Sequence, residues 1–308
     1  MEQFIAAIVI AATPLIFATL GELLSEKSGC LNLGVEGMML MGAIMGFQVG
    51  FTTGSPILAV SAGFIAGAAG AAIFGFLTIS LRTNQVVTGL ALTIFGTGFS
   101  GFVGKSVSGL SLPRDFRFAF ESIPIPGLSK IPVIGDAFFN RDILVYVAFI
   151  CTIAIAFYLN KTRIGLNTRA VGENAAAADA SGINVSLYRH VNVVVGGGLC
   201  GLGGVYMSLV TIPVWQENVV AGRGWIAVAL VIFAGWKSWK AFLGALLFGA
   251  LSILGYRLQA VGIHVSQHLV DMIPYVATVI IVIISTRKNR KEDLPPADLS
   301  NPYFREDR

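Results

Sequence analysis

The 308 residues are 55% hydrophobic and 12% charged, about half the charged share of a soluble domain, with 36 glycines and a mean hydropathy of +0.77. Several apolar runs reach the ~18 residues needed to cross a bilayer, which excludes a soluble globular protein and implies an all-α, polytopic helical membrane protein. The net charge of +4 gives no case for nucleic-acid binding, because the basic residues flank apolar runs; Cys30, Cys151 and Cys200 form no CxxC or Cys/His cluster for disulfides or zinc.

Apolar periodicity predicts about nine transmembrane helices: 4–24, 35–54, 56–80, 86–104, 142–160, 190–210, 225–236, 241–257 and 270–286. The first run lacks a basic flank and a small-residue cleavage site and is too long for a signal core, so it reads as a retained helix. Next, "SGCLNLGVEGMMLMG" (28–42) mixes Gly, Asn and Glu with apolar residues, as in a segment that re-enters the membrane. Such backbone is tolerated only inside protein or beside a cavity. The loop at about 105–141 carries Pro113, Pro124, Pro126 and Pro132, which rule out a continuous helix. It reads as an ordered outer flap, either a passive connector or a docking surface for an external protein. Run 225–236 is short for a span and predicts a broken helix near Gly224. The membrane domain covers 1–286, and 287–308 forms an irregular, charged, Pro-containing cytoplasmic tail.

Orientation follows from Lys and Arg. With the C-terminus inside, the inner segments hold Lys27, Arg82, Lys161, Arg163, Arg169, Arg189, Lys237, Lys240 and six residues from Arg287 onward, fourteen of the 21. The bias predicts N-out, C-in.

Catalytic signatures are missing: no GxxxxGK[ST], no HExxH and no GxSxG. His264 and His268 are four apart, but no third ligand accompanies them, and an interfacial role is the simpler reading. The pattern implies transport rather than an enzyme, with no cofactor or metal. Glu22, Glu36, Arg257 and Asp271 lie at predicted helix ends, where they read as interfacial anchors or as functional groups. The helix centres read as free of Asp, Glu, Lys and Arg, which opposes an ion-coupled carrier. Asn32, Asn84, Gln85, Asn192, Gln216 and Asn218 each suit helix capping or bridging. With Glu22 and Glu36, a subset (Asn32, Asn84, Gln85, Gln216 and Asn218) forms the candidate path for a neutral polar solute. Gly196, Gly197, Gly198, Gly201, Gly203 and Gly204 give the sixth helix a smooth face for close packing, or for sliding between two conformations.

The polar stretch "GENAAAADASGINVSLYRH" (Gly172–His190) sits in the predicted cytoplasmic loop 161–189. Asn174 is a suitable N-cap for the Ala175–Ser181 run, and Gly182 suits its C-terminal stop. So short a helix is marginal alone and needs a surface to lean on, its own membrane domain or a partner.

"TRIGLNTRAVGENAAAADASGINVSLYRH" (162–190) resembles the cytoplasmic coupling loop of permease subunits of ABC importers, in the branch serving ribose-type sugars and nucleosides. "GELLSEKSGCLNLGVEGMMLMGA" (21–43) resembles the signature of the nucleoside-type members. Residues 123–146, 222–249 and the tail "NPYFREDR" resemble the same branch, in collinear order. Against ribose-type permeases the chain lacks one initial helix, in agreement with an outer N-terminus. The resemblance implies a channel of two permease subunits, commonly different chains. It also implies a cytoplasmic ABC ATPase and an extracytoplasmic solute-binding protein or lipoprotein. By position it sets Gly172, Glu173, Asn174, Ala175, Ala178, Asp179 and Gly182 on the helix that grips the ATPase. The implied solute is a nucleoside, with simple sugars or riboflavin-like compounds as alternatives inside the family, and an ion-driven carrier or a channel outside it.

Overall fold

A computed structural model describes residues 2–132, 134–260 and 294–305, with positions 272, 273, 276, 277, 279, 280 and 283. The predicted helix 270–286 falls in the incompletely described stretch; His264, His268, Asp271 and residues 287–291 lie outside the described residues.

Among the described residues six helices are long and apolar enough to cross a membrane. They are α1 (Glu2–Lys27), α2 (Val35–Thr53), α3 (Pro56–Gly75), α4 (Gln85–Gly104), α7 (Ile143–Lys161) and α10 (Val185–Tyr206). α3 and α10 each end in a π-helical turn, Phe76–Ser80 and Met207–Thr211. Two further apolar helices follow, α11 (Arg223–Ala234) and α12 (Ser238–Ala260), of which α11, at 12 residues, is short for a span. Two short helices, α5 (Arg114–Phe118) and α6 (Ile134–Phe139), lie between α4 and α7, and α8 (Arg163–Glu173) and α9 (Ala175–Ala180) lie in the polar loop.

α10 is the hub, packing most extensively against α1, α2 and α3. Its glycines explain this, because without side chains its backbone meets theirs directly. α1, α2 and α10 are largely buried, whereas α3, α4 and α7 turn large apolar side chains outward, among them Ile94, Phe102 and Ile153. That outward face suits lipid or a second membrane subunit and would be unstable in water.

The segment between α4 and α7 is tied down. Strand β1 (Ile123–Pro124) pairs antiparallel with β2 (Asn140–Arg141), and Tyr146 Oη donates to the Ile123 carbonyl at 2.8 Å. Asp142 caps α7 by accepting from Leu144 and Val145 N–H, and its second oxygen accepts from Tyr206 Oη at 3.0 Å. The flap is thereby tied to the end of α10.

Candidate functional site

Two regions gather the candidate residues: a polar junction inside the bundle and the face carrying α8 and α9. The junction begins at the link Ser28–Gly34, which has no regular structure and is almost wholly buried. The link climbs along α4. Leu31 N–H donates to Gln85 Oε1 at 2.7 Å at the start of α4, Thr93 Oγ1 donates to the Leu33 carbonyl at 3.0 Å, and Gly37 meets Gly96 backbone to backbone. The first turn of α2 therefore lies beside the middle of α4, not at its end. The sequence suggested re-entry for this segment; the irregular part is the buried link, and α2 itself is continuous.

Polar groups stitch the link in place. Glu22 Oε1 accepts from Asn32 N–H at 2.9 Å, and Asn32 Oδ1 accepts from Gly34 N–H at 2.9 Å. Glu36 lies at mid-height, where its two carboxylate oxygens accept from Gly222 N–H at 2.8 Å and Gly224 N–H at 2.7 Å. These are the first backbone donors of α11, so Glu36 caps a helix 186 residues away in sequence. The expectation that Glu22 and Glu36 reach water at helix ends fails: they are 0% and 5% exposed. The centres of the six long apolar helices hold no Asp, Glu, Lys or Arg; Glu36 is at the first turn of α2, and both its oxygens are engaged by α11.

The break before α11 exists. After the π-turn the chain runs extended, with Gly109 N–H donating to the Trp215 carbonyl and Trp215 N–H donating to the Leu110 carbonyl, both at 3.0 Å. It then turns through three positive-φ residues, Asn218, Ala221 and Gly222. Residues 212–222 thus run from the far end of α4 to its middle. From there the 12 residues of α11 cover about 18 Å. Just beyond its end, Trp236 Nε1 donates to Glu26 Oε2 at 2.5 Å. Glu26 and Trp236 were not singled out from sequence. Their spacing of 210 residues leaves no local signal.

The other path candidates divide. Asn84 caps α4, accepting from Val87 N–H at 3.0 Å, and Gln85 holds the link. Gln216 and Asn218 are exposed, on the extended segment and its turn.

On the second region, α8 is a helix that was not singled out from the sequence. α9 is bounded as expected: Asn174 Oδ1 accepts from Ala177 N–H at 2.8 Å, and Gly182 (φ 83°) ends it in the left-handed region. α10 starts at Val185, five residues before the predicted 190. Ala175 and Ala178 face inward onto Val171 and Val185, and Gly172 and Glu173 end α8. Asn192 ties α10 to α8, donating to Thr168 Oγ1 at 3.2 Å. Asp179 pairs with Arg305 of the tail at 3.5 Å. A cleft of about 450 Å³ opens between this region and the end of α3.

A family described as "Branched-chain amino acid transport system / permease component" matches residues 4–283. The chain is 42% identical over 264 residues to a putative glucose ABC transporter permease of Haloferax volcanii, covering 83% of this chain and 78% of that one. It is 35% identical to a guanosine ABC transporter permease of Bacillus subtilis, over 91% of each chain. It is 32% identical to a nucleoside ABC transporter permease of Lactococcus lactis, over 92% of each chain. No solved structure matches.

Proposed function

Since the chain belongs to this permease family, and is a multi-pass subunit of an ABC importer in the cytoplasmic membrane rather than an enzyme, we propose that its solute is a nucleoside. The observation that carries this reading is the end-to-end match to relatives named for guanosine and nucleosides. A neutral solute fits the use of both Glu36 oxygens to cap α11, a structural role for that carboxylate. A sugar is the second reading, favoured by the 42% identity to the putative glucose permease. Direct binding of nucleosides, ribose, glucose and riboflavin to the external binding protein of the same system discriminates them. Nucleoside binding is expected, and exclusive sugar binding would overturn the assignment.

In this reading the chain has nine helices with N-out, C-in topology and pairs with a second, related permease. α8 and α9 face the cytoplasm, and the outer flap, with Arg114, Arg117 and Glu121 around one recess, meets the binding protein. Gln216 and Asn218 are the path candidates left open to a solute, because the others serve the fold. Replacing Gln216 with alanine is expected to raise the solute concentration for half-maximal uptake several-fold without changing the amount of protein in the membrane. Unchanged uptake kinetics would remove it from the path.

α9 is the helix that engages the ATPase. Ala178 N–H donates to the Asn174 carbonyl at 3.0 Å, and proline at 178 removes that bond and clashes with the preceding turn, a cost of about 3 kcal/mol. Ala178→Pro is expected to abolish uptake while the ATPase still turns over and the permease still inserts. Normal uptake in membrane vesicles would refute this role for α9.

A further inference from the structure

The sequence suggested an irregular tail; residues 294–305 are irregular, and they pack along the face that carries α9. Asp298 is the centre of the contact. Its backbone N–H donates to the Gly172 carbonyl at 2.9 Å, and its Oδ2 accepts from Ala175 N–H at 2.6 Å. It therefore joins the last turn of α8 to the first turn of α9, taking a donor that Asn174 does not reach. Further along, Ser300 N–H donates to the Gly29 carbonyl at 3.2 Å, on the α1–α2 link. The Asn301 carbonyl accepts from Arg189 Nη1 at 3.0 Å, on α10, where Arg189 is only 2% exposed. Tyr303 packs on the small apolar cluster under α9, and the Arg82 guanidinium, just after α3, lies 4.6 Å from the Phe304 ring centroid. One short segment thus touches α9 and four parts of the membrane domain.

A six-residue helix cannot hold its own position. α9 is attached by short turns, and only Ala175 and Ala178 of its residues are buried. The tail supplies the remaining support. We infer that the surface presented to the ATPase is composite, built from α9 and residues 294–305 together, with the tail acting as a clasp that sets α9 against α1, α3 and α10. Movement of α9 then passes to those helices through the clasp. The inference rests on the reading of α9 as the ATPase-engaging helix.

The terms are unequal. Arg305 is 73% exposed at its side chain, so its pair with Asp179 contributes little. The Asp298 cap is a short, partly buried hydrogen bond from backbone to carboxylate, the kind whose loss is felt. Asparagine at 298 keeps an acceptor oxygen in the same place; alanine does not.

The test uses the full complex of permeases, ATPase and binding protein in proteoliposomes, measuring uptake and ATP hydrolysis together. Asp298→Ala is expected to lower solute moved per ATP by about fivefold, matching the loss of one cap, with assembly of the complex unchanged. Asp298→Asn is expected to restore it to within about twofold, and Arg305→Ala to leave it near normal. A normal ratio in Asp298→Ala, or an equal defect in Asp298→Asn, overturns the clasp. In parallel, Ala176→Cys on the exposed side of α9 is cross-linked to the ATPase. A cross-link with a normal Asp298→Ala ratio removes the clasp alone. Failure to cross-link removes the reading of α9, and the clasp with it.

Discussion

Replacing Glu36 with alanine is expected to destabilise the protein by about 2–6 kcal/mol and to abolish uptake. Two backbone donors, Gly222 N–H and Gly224 N–H, lose their acceptor at once, and each orphaned donor inside the protein costs about 1–3 kcal/mol. No side chain of α11's own first turn takes over, since its N-cap is Gly222, which has none. Water cannot readily replace the carboxylate, because Gly224 packs directly on the Glu36 backbone. The positive end of the α11 dipole also loses its counter-charge. Glutamine at 36 retains one acceptor oxygen but turns an NH₂ toward the other donor, so it is expected to fall between the wild type and alanine. Thermal unfolding of the purified subunit in detergent, beside solute uptake in vesicles, measures both effects. A Glu36→Ala variant that melts with the wild type would show that α11 holds its place without the cap.

What could be read ahead of the structure, and what could not, divides along a physical line. Local signals did well. The spans at 35–54, 56–80, 86–104 and 142–160 agree with α2, α3, α4 and α7 to within a few residues, because hydropathy is a property of a window. Asn174 and Gly182 bound α9 as expected, because capping is chemistry within four residues. The failures concern depth and distant pairing. Glu36 sits near a helix start, and that alone suggested an interface. Only the buried link from Ser28 to Gly34 carries that start to mid-height, and a hydropathy profile has no term for height. Glu36 with Gly222, Glu26 with Trp236 and Asp298 with Ala175 are separated by more than a hundred residues each. Each member of these pairs has an ordinary local context. The packing of the irregular tail went unforeseen for the same reason, since its composition is that of an unpacked segment and the surface it meets is built elsewhere in the chain.

The Gly197→Leu, Gly201→Leu double variant is expected to yield no folded protein, and a single alanine at Gly201 or Gly204 to be severely destabilising. A Cβ on Gly204 would stand 1.8 Å from the Met39 carbonyl oxygen, and one on Gly201 would stand 2.4 Å from the Gly63 carbonyl oxygen. A Cβ on Gly197 would meet the Ala71 Cβ at 2.2 Å. The opposing helices are as bare: a Cβ on Gly42 would lie 2.4 Å from Gly201 Cα, and one on Gly67 would lie 2.3 Å from the Gly197 carbonyl oxygen. Most of these obstacles are backbone, so relief requires whole helices to separate, and each overpacked site costs about 1–3 kcal/mol or more. The same substitution on α4 gives the control. Gly98 and Gly101 have open space where a Cβ would stand, so alanine there is expected to be neutral, or stabilising by up to about 1 kcal/mol through helix propensity. Monodisperse yield in detergent reads folding, and uptake reads function. The pair of readouts separates the two roles that the glycine face suggested. A Gly201→Ala protein that folds normally yet transports nothing would mean that α10 must slide past α3. Joint loss of fold and uptake, the outcome expected from contacts this close, would mean that α10 is locked between α2 and α3, and that motion in this subunit occurs around that core rather than through it.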